Sequence, residues 1–80
     1  MHNMQINIIL FGQLVDIIGS DKIIIEDVID TDKLTNKLHQ QFPGLNQSKY
    51  IIAVDKKIIS ENTTLSNNST VALLPPFSGG

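Results

Sequence analysis

Apolar residues along this chain fall in short runs divided by polar breaks, and the period of the runs changes once. Residues 4–11 read MQINIILF. Met4, Ile6 and Ile8 alternate with Gln5 and Asn7 before the run turns wholly apolar, the pattern of a strand entering the middle of a sheet. Gly12 ends it, and QLVDII with Gly19 behind it predicts a short helical turn that puts Leu14, Ile17 and Ile18 on one side. Lys22 to Asp27, KIIIED, is β-branched and brief, which suits a second strand returning antiparallel to the first.

The period then lengthens. Leu34, Leu38 and Phe42 recur every four residues behind Asp30 and Thr31, whose side-chain oxygens can cap a helix start, and Asp32 lies in the first turn, where the helix dipole favours a negative charge. Pro43 and Gly44 stop this helix: proline disfavours a helical residue before it, and glycine accepts the left-handed turn that commonly comes next. Tyr50 to Val54, YIIAV, reads as a buried strand, DKK as a turn, and Ile58 and Ile59 as a short partner strand. A polar loop, SENTTLSNNS, has Leu65 as its single apolar anchor; Thr70 to Leu74, TVALL, is the last strand, closed by Pro75 and Pro76.

The order is strand, strand, helix, strand, strand, strand, and one helix can cover only one face of such a sheet. This is an α+β layer fold. A right-handed crossover through the helix lays the final strand parallel to the first, in the centre. The expected division is a domain over residues 1–74 and a flexible functional tail over residues 75–80.

Composition narrows the function. Eighty residues make one domain, near the lower size for a stable core, so a cleft between domains is not expected. Hydrophobic residues make up 41% and mean hydropathy is +0.07, more apolar surface than so short a chain buries alone, which points to a protein partner. Net charge is −2, with six lysines and no arginine. Without guanidinium forks or a basic stripe, nucleic acid is not the expected partner. Absence of cysteine excludes disulfides, thiolate metal sites and cysteine nucleophiles. No apolar run approaches membrane-spanning length and the first residues lack a signal-peptide pattern, so a cytoplasmic location is expected.

The chain finishes on ALLPPFSGG, Ala72 to Gly80. A Gly-Gly end taken alone is more often frayed than functional. Here it comes after two prolines and an aromatic residue, placed directly behind the strand expected at the centre of the sheet. Six residues from Pro75 to Gly80 reach roughly 20 Å when extended. Ordering them costs on the order of 6 to 12 kcal/mol of backbone entropy, a cost that two prolines lower by holding φ beforehand.

The element order, the length, FGQLVDIIG after the first strand, AVDKKII in the second half and above all VALLPPFSGG resemble the small, sulfur-carrying subunits of molybdopterin synthase, a family of ubiquitin-like β-grasp proteins. The resemblance covers essentially the whole chain. It implies a mixed five-stranded sheet with one main helix packed on one face. It also implies that the Gly80 carboxylate is adenylated by a ubiquitin-activating-type adenylyltransferase using ATP, converted to a thiocarboxylate and inserted into a large subunit, where its sulfur passes to a cyclic pyranopterin. Two small and two large subunits are implied, and two carriers supply the two dithiolene sulfurs. Gly80 and Gly79 are then the reacting end, free of a Cβ that would block approach. Leu74, Pro75, Pro76, Phe77 and Ser78 are the partner-binding segment, with Phe77 as the apolar anchor. The chain itself binds no cofactor and no metal. Two departures stand out: Val15 where the family often has arginine, and Asn67-Asn68-Ser69 where it often has Asp-Gly-Asp. Asparagine keeps the turn chemistry of the second, because it tolerates left-handed conformations.

Two other functions fit such an end: a sulfur carrier for thiamine thiazole synthesis, whose tails usually lack the Pro-Pro pair, and a ubiquitin-like protein modifier. Elsewhere the residues read as structure. Leu34, Leu38 and Phe42 are core, Asp27, Asp30 and Asp32 crowd a helix start, Lys49, Lys56 and Lys57 end strands, and His2 and His39 are surface residues too far apart for a metal site.

Overall fold

The computed structural model describes residues 4–76. Five strands and two helices occur in the order β1 (Gln5–Leu10), α1 (Gln13–Ile18), β2 (Lys22–Glu26), α2 (Thr31–Gln41), a 3-10 turn (Pro43–Gln47), β3 (Ile51–Val54), β4 (Lys57–Ile59) and β5 (Thr70–Leu74). The sheet order is β2-β1-β5-β3-β4. β5 runs parallel to β1, with Ile8 opposite Val71 and Leu10 opposite Leu73, and antiparallel to β3, with Ala53 opposite Ala72. The last strand is thus hydrogen-bonded on both sides, in the central place that a right-handed crossover gives it.

Alternation along the strands sends Ile6, Ile8, Leu10, Ile25, Val71 and Leu73 to the face under the helices, all of them buried. Leu34 and Leu38 of α2, Leu14 and Ile18 of α1 and Leu45 of the 3-10 turn close on this face. Each fully buried aliphatic side chain contributes about 1.5–3 kcal/mol relative to an exposed one, so this one layer holds the domain together.

Local chemistry explains the element ends. Asp30 caps α2, its Oδ1 accepting the Lys33 N–H at 2.8 Å. Thr31 is buried instead: its hydroxyl accepts the Thr63 N–H at 2.9 Å and donates to Asn62 Oδ1 at 3.3 Å. Further bonds from Thr31 N–H to the Thr63 carbonyl and from Leu65 N–H to the Ile29 carbonyl tie the polar loop to the helix start. Leu65, buried, anchors that loop as expected.

The turn between β3 and β4 is tighter than the DKK reading implied. Asp55 and Lys56 alone form it, at φ 47° and 73°, matching the right-handed twist of the flanking strands. Asn68 has φ 68°, and the Asn67 side chain accepts the Gln5 N–H at 2.9 Å, so this asparagine turn also holds the start of β1.

Two expectations change at the end of α2. Phe42 is half-buried at the cap rather than deep in the core, and Gly44 is not in the left-handed region. The chain continues from Pro43 as a 3-10 turn, because this geometry lets Leu45 reach the core while proline supplies a first-turn residue that needs no N–H partner.

Candidate functional site

The site begins where β5 ends. Leu74 is paired with Ile51 of β3 and half-buried. Beside it, the Phe11 N–H donates to the Leu73 carbonyl at 3.2 Å, so the loop after β1 is bonded to the last turn of the ladder. Pro75 is half-buried and Pro76 exposed. A Cβ built on Gly12 would lie 2.7 Å from Pro75 Cγ, which places the proline ring directly over that glycine. Phe77, Ser78, Gly79 and Gly80 lie outside the described residues, as does His2.

Next to this exit the sheet has a face that no helix covers among the described residues. The register aligns Lys22, Ile9, Ala72, Ala53 and Ile58 in one row across all five strands. Ile24 stands beside it opposite Asn7, and Ile51 opposite Leu74. Ile24 is 57% exposed and Ile58 66% exposed. The two alanines in the middle leave a shallow apolar trough between Ile9 and Ile58. Asn7, Lys22, Ile24 and Thr70 line an open groove of about 350 Å³ at one end of it. Phe11, at the tail exit, is 44% exposed.

Of the residues expected to bind a partner, Leu74 lies at the edge of this trough, and Pro75 and Pro76 come next where the chain leaves β5. Ile9, Ile24, Ile51, Ala53, Ile58 and Ala72 are the residues that sequence reading did not single out. A signal for them was present. The runs IILF and IIIE break strict alternation, which happens when both faces of a strand are apolar.

Among the described residues, the alanine floor of the trough carries no acid, base or nucleophile; Asn7 and Thr70 beside it are uncharged, and Lys22 puts one amine at the far end of the row. A larger groove of about 440 Å³ lies between α2 and the β3–β4 hairpin, with Asp32 and Glu61 at its rim. Ile51 and Ile58 of the uncovered face also line this groove. There, the Asn62 side chain already accepts the Asp32 N–H at 2.9 Å. Among the described residues no group of three His, Asp or Glu side chains is placed to hold a metal ion, and no helix is long and apolar enough to cross a membrane.

His39 is less exposed than a lone surface ring. Its Nε2 lies 2.7 Å from the Tyr50 hydroxyl and its Nδ1 is bonded to the Asn46 side chain, joining α2, the 3-10 turn and the residue before β3. Burial raises the Tyr50 pKa above the ordinary value. Val15 is half-buried against the core, so the position that often carries arginine in the resembling family is here spent on packing.

A mixed sheet of this order, with a helix between β2 and β3 and a central last strand that releases its chain beside an uncovered apolar face, defines a ubiquitin-like β-grasp protein. A solution structure of small archaeal modifier protein 1 from Methanosarcina acetivorans superposes with a TM-score of 0.82 over the whole of both chains, at 19% identity. The family model described as the ThiS family matches residues 8–80, and the chain belongs to that family. The molybdopterin synthase sulfur carrier subunit of Dictyostelium discoideum is 30% identical over 95% of this chain and 96% of its own length. A chain in the Helicobacter pylori complex of subunits 1 and 2 of molybdopterin-converting factor is 28% identical, with a TM-score of 0.72, covering 96% of this chain and all of that one.

Proposed function

We propose that this protein is the sulfur-carrier subunit of a molybdopterin synthase. The observation that carries the reading is the tail exit: Leu74, Pro75 and Pro76 leave a strand bonded on both sides, next to an apolar face that a partner would cover. The matching length and name of the Dictyostelium relative support it, and the Helicobacter pylori complex offers a precedent for pairing with a large subunit. In this reading residues 1–74 are the docking body and residues 75–80 are the reactive arm.

The chemistry belongs to the arm. A Gly80 carboxylate oxygen attacks the α-phosphorus of ATP on an activating enzyme of the ubiquitin-activating type, and pyrophosphate leaves. Hydrosulfide, free or released from a persulfide by a thiol that becomes a disulfide, then attacks the acyl carbon, AMP leaves and a proton is lost, producing the thiocarboxylate. Inside the large subunit its sulfur attacks a carbon of the cyclic pyranopterin, the carbon–oxygen bond there breaks and the oxygen leaves, and water cleaves the resulting thioester, returning the carboxylate and leaving the sulfur on the pterin. Gly79 and Gly80 give nucleophiles access from several sides because no Cβ stands in the way. Phe77 and Ser78 enter the partner behind the prolines, with Phe77 supplying apolar area. The chain holds no cofactor in these steps; its contribution is docking and the placement of one carboxylate.

Intact-mass analysis of the purified chain, with and without activating enzyme and a sulfur source, tests the reading. An oxygen-to-sulfur mass increase confined to the last residue, and its loss on mixing with large subunit and cyclic pyranopterin, is the expected result. Isopeptide-linked products would instead identify a modifier, and sulfur delivered only to a thiazole-forming system would identify the thiamine carrier.

A further inference from the structure

Gly12 has φ 58° and ψ −138°, a region that side-chain-bearing residues rarely occupy. The position its Cβ would take lies 2.7 Å from Pro75 Cγ and 3.6 Å from Pro75 Cδ. Carbon atoms pack best at about 3.5–4.0 Å, so the pyrrolidine ring fills the space a side chain at residue 12 would need. The glycine is held from both directions. Phe11 N–H is bonded to the Leu73 carbonyl, and Val15 N–H to the Gly12 carbonyl at 3.1 Å, with the fully buried Leu14 between. Pro75 thus has a fixed seat made of sheet on one side and α1 on the other.

The seat governs the residues beyond it. Proline holds its own φ, and a residue before proline is confined to extended geometry, so the orientation of the Pro75 ring carries through to Pro76. We propose that Gly12 is a positioning residue, whose bare Cα seats the ring of Pro75 and so sets the direction in which the chain leaves the sheet after Leu74. A side chain at residue 12 displaces that ring, since the paired strands cannot give way and the first residue beyond them can. The consequence for sulfur transfer rests on the role proposed for Gly80; the direction of the arm does not.

The direction can be read without any partner. The chain contains no cysteine, so Ser78→Cys carries a single nitroxide in the full-length protein, and broadening of amide resonances maps where the arm points. Gly12→Ala is expected to move the set of broadened amides; an unchanged set overturns the proposal. Pro75→Ala removes Cγ and Cδ, and Gly12→Ala added to it is expected to change nothing more. An equal further change with the ring absent would assign the effect to backbone strain at residue 12 and sink the seat. Should Gly12→Ala not fold, Pro75→Ala is compared with Pro76→Ala: each loses one proline, but only the first loses its seat, so identical broadening in the two overturns the proposal. In reconstituted sulfur transfer, a folded Gly12→Ala chain is expected to lose about 100-fold in rate, the scale set by a small misplacement of a reacting group. Unchanged transfer with a moved arm would overturn the functional consequence. A wild-type chain that never acquires sulfur would end the carrier reading, while the broadening still judges the seat.

Discussion

Ala72 of β5 stands opposite Ala53 of β3, and the pair forms the floor of the uncovered face of the sheet, with Ile9 on one side and Ile58 on the other. Small side chains at the middle of a row make a hollow that a partner's larger side chain can enter, and the middle of the row carries no charge, Lys22 standing at its far end. Ala72→Glu puts an uncompensated carboxylate there. Binding to the large subunit, measured by isothermal titration, is expected to weaken at least 10-fold, about 1.4 kcal/mol, with the melting temperature little changed because the new side chain points away from the core. Unaltered affinity would remove this face from the interface.

The Gly80 carboxylate is proposed to work at one depth in a partner. Deleting Gly80, or adding one residue after it, is expected to abolish sulfur transfer while leaving folding and most large-subunit affinity intact. A chain extended by several residues that still forms the dithiolene, with no prior trimming, would leave the proposal without its mechanism.

Thr31 ties the loop ahead of β5 to the start of α2 through two hydrogen bonds made by one buried hydroxyl. Thr31→Val keeps the shape and leaves the Thr63 N–H unpaired, at an expected cost of about 1–3 kcal/mol. Urea denaturation measures it directly. No loss of stability would mean that the remaining backbone bonds, the Asn62 side chain and Leu65 hold the loop to the helix without the Thr31 hydroxyl.

Asn68 adopts φ 68° in the turn that feeds β5. Asn68→Ala is expected to destabilise by about 1 kcal/mol, the usual penalty for an ordinary side chain in that region, whereas Asn68→Gly should be neutral or slightly stabilising. Equal effects of the two substitutions would show that the side chain, and not the backbone, decides this position.

Burial raises the Tyr50 pKa above 10.0. The unfolded chain, with its phenol at the ordinary value, therefore releases this proton first as pH rises. Above that point the unfolded state binds fewer protons, so the Tyr50 contribution to stability is whole below pH 10.0 and is lost as pH climbs through the folded-state pKa. Tyr50→Phe should flatten that part of the stability profile relative to wild type, measured by denaturation from about pH 9 to about pH 11. Parallel profiles would show that the phenol is not protected.

The sequence alone determined the elements whose physics is local. Alternating apolar positions specified β1, the four-residue recurrence of Leu34 and Leu38 specified α2, Asp30 capped it, and the asparagine turn before β5 took the backbone geometry its residue type allows. The Pro-Pro-Phe-Ser-Gly-Gly arm stands out as a motif because it is written in residue order; the chemistry assigned to it is the proposal made above. Only the tertiary structure decided matters that depend on residues far apart in the chain. Whether the apolar run at Ile9 faces a helix or open solvent turns on which side of the sheet α2 covers. The row from Lys22 to Ile58 exists only in the register of five strands. The 3-10 turn after Pro43 forms because Leu45 has a core to enter, which overrides the left-handed stop that Pro-Gly suggests. The element order predicted the parallel pairing of β1 with β5, but the contact of Gly12 with Pro75, residues 63 positions apart, depends on the register of that pairing, which no local pattern encodes.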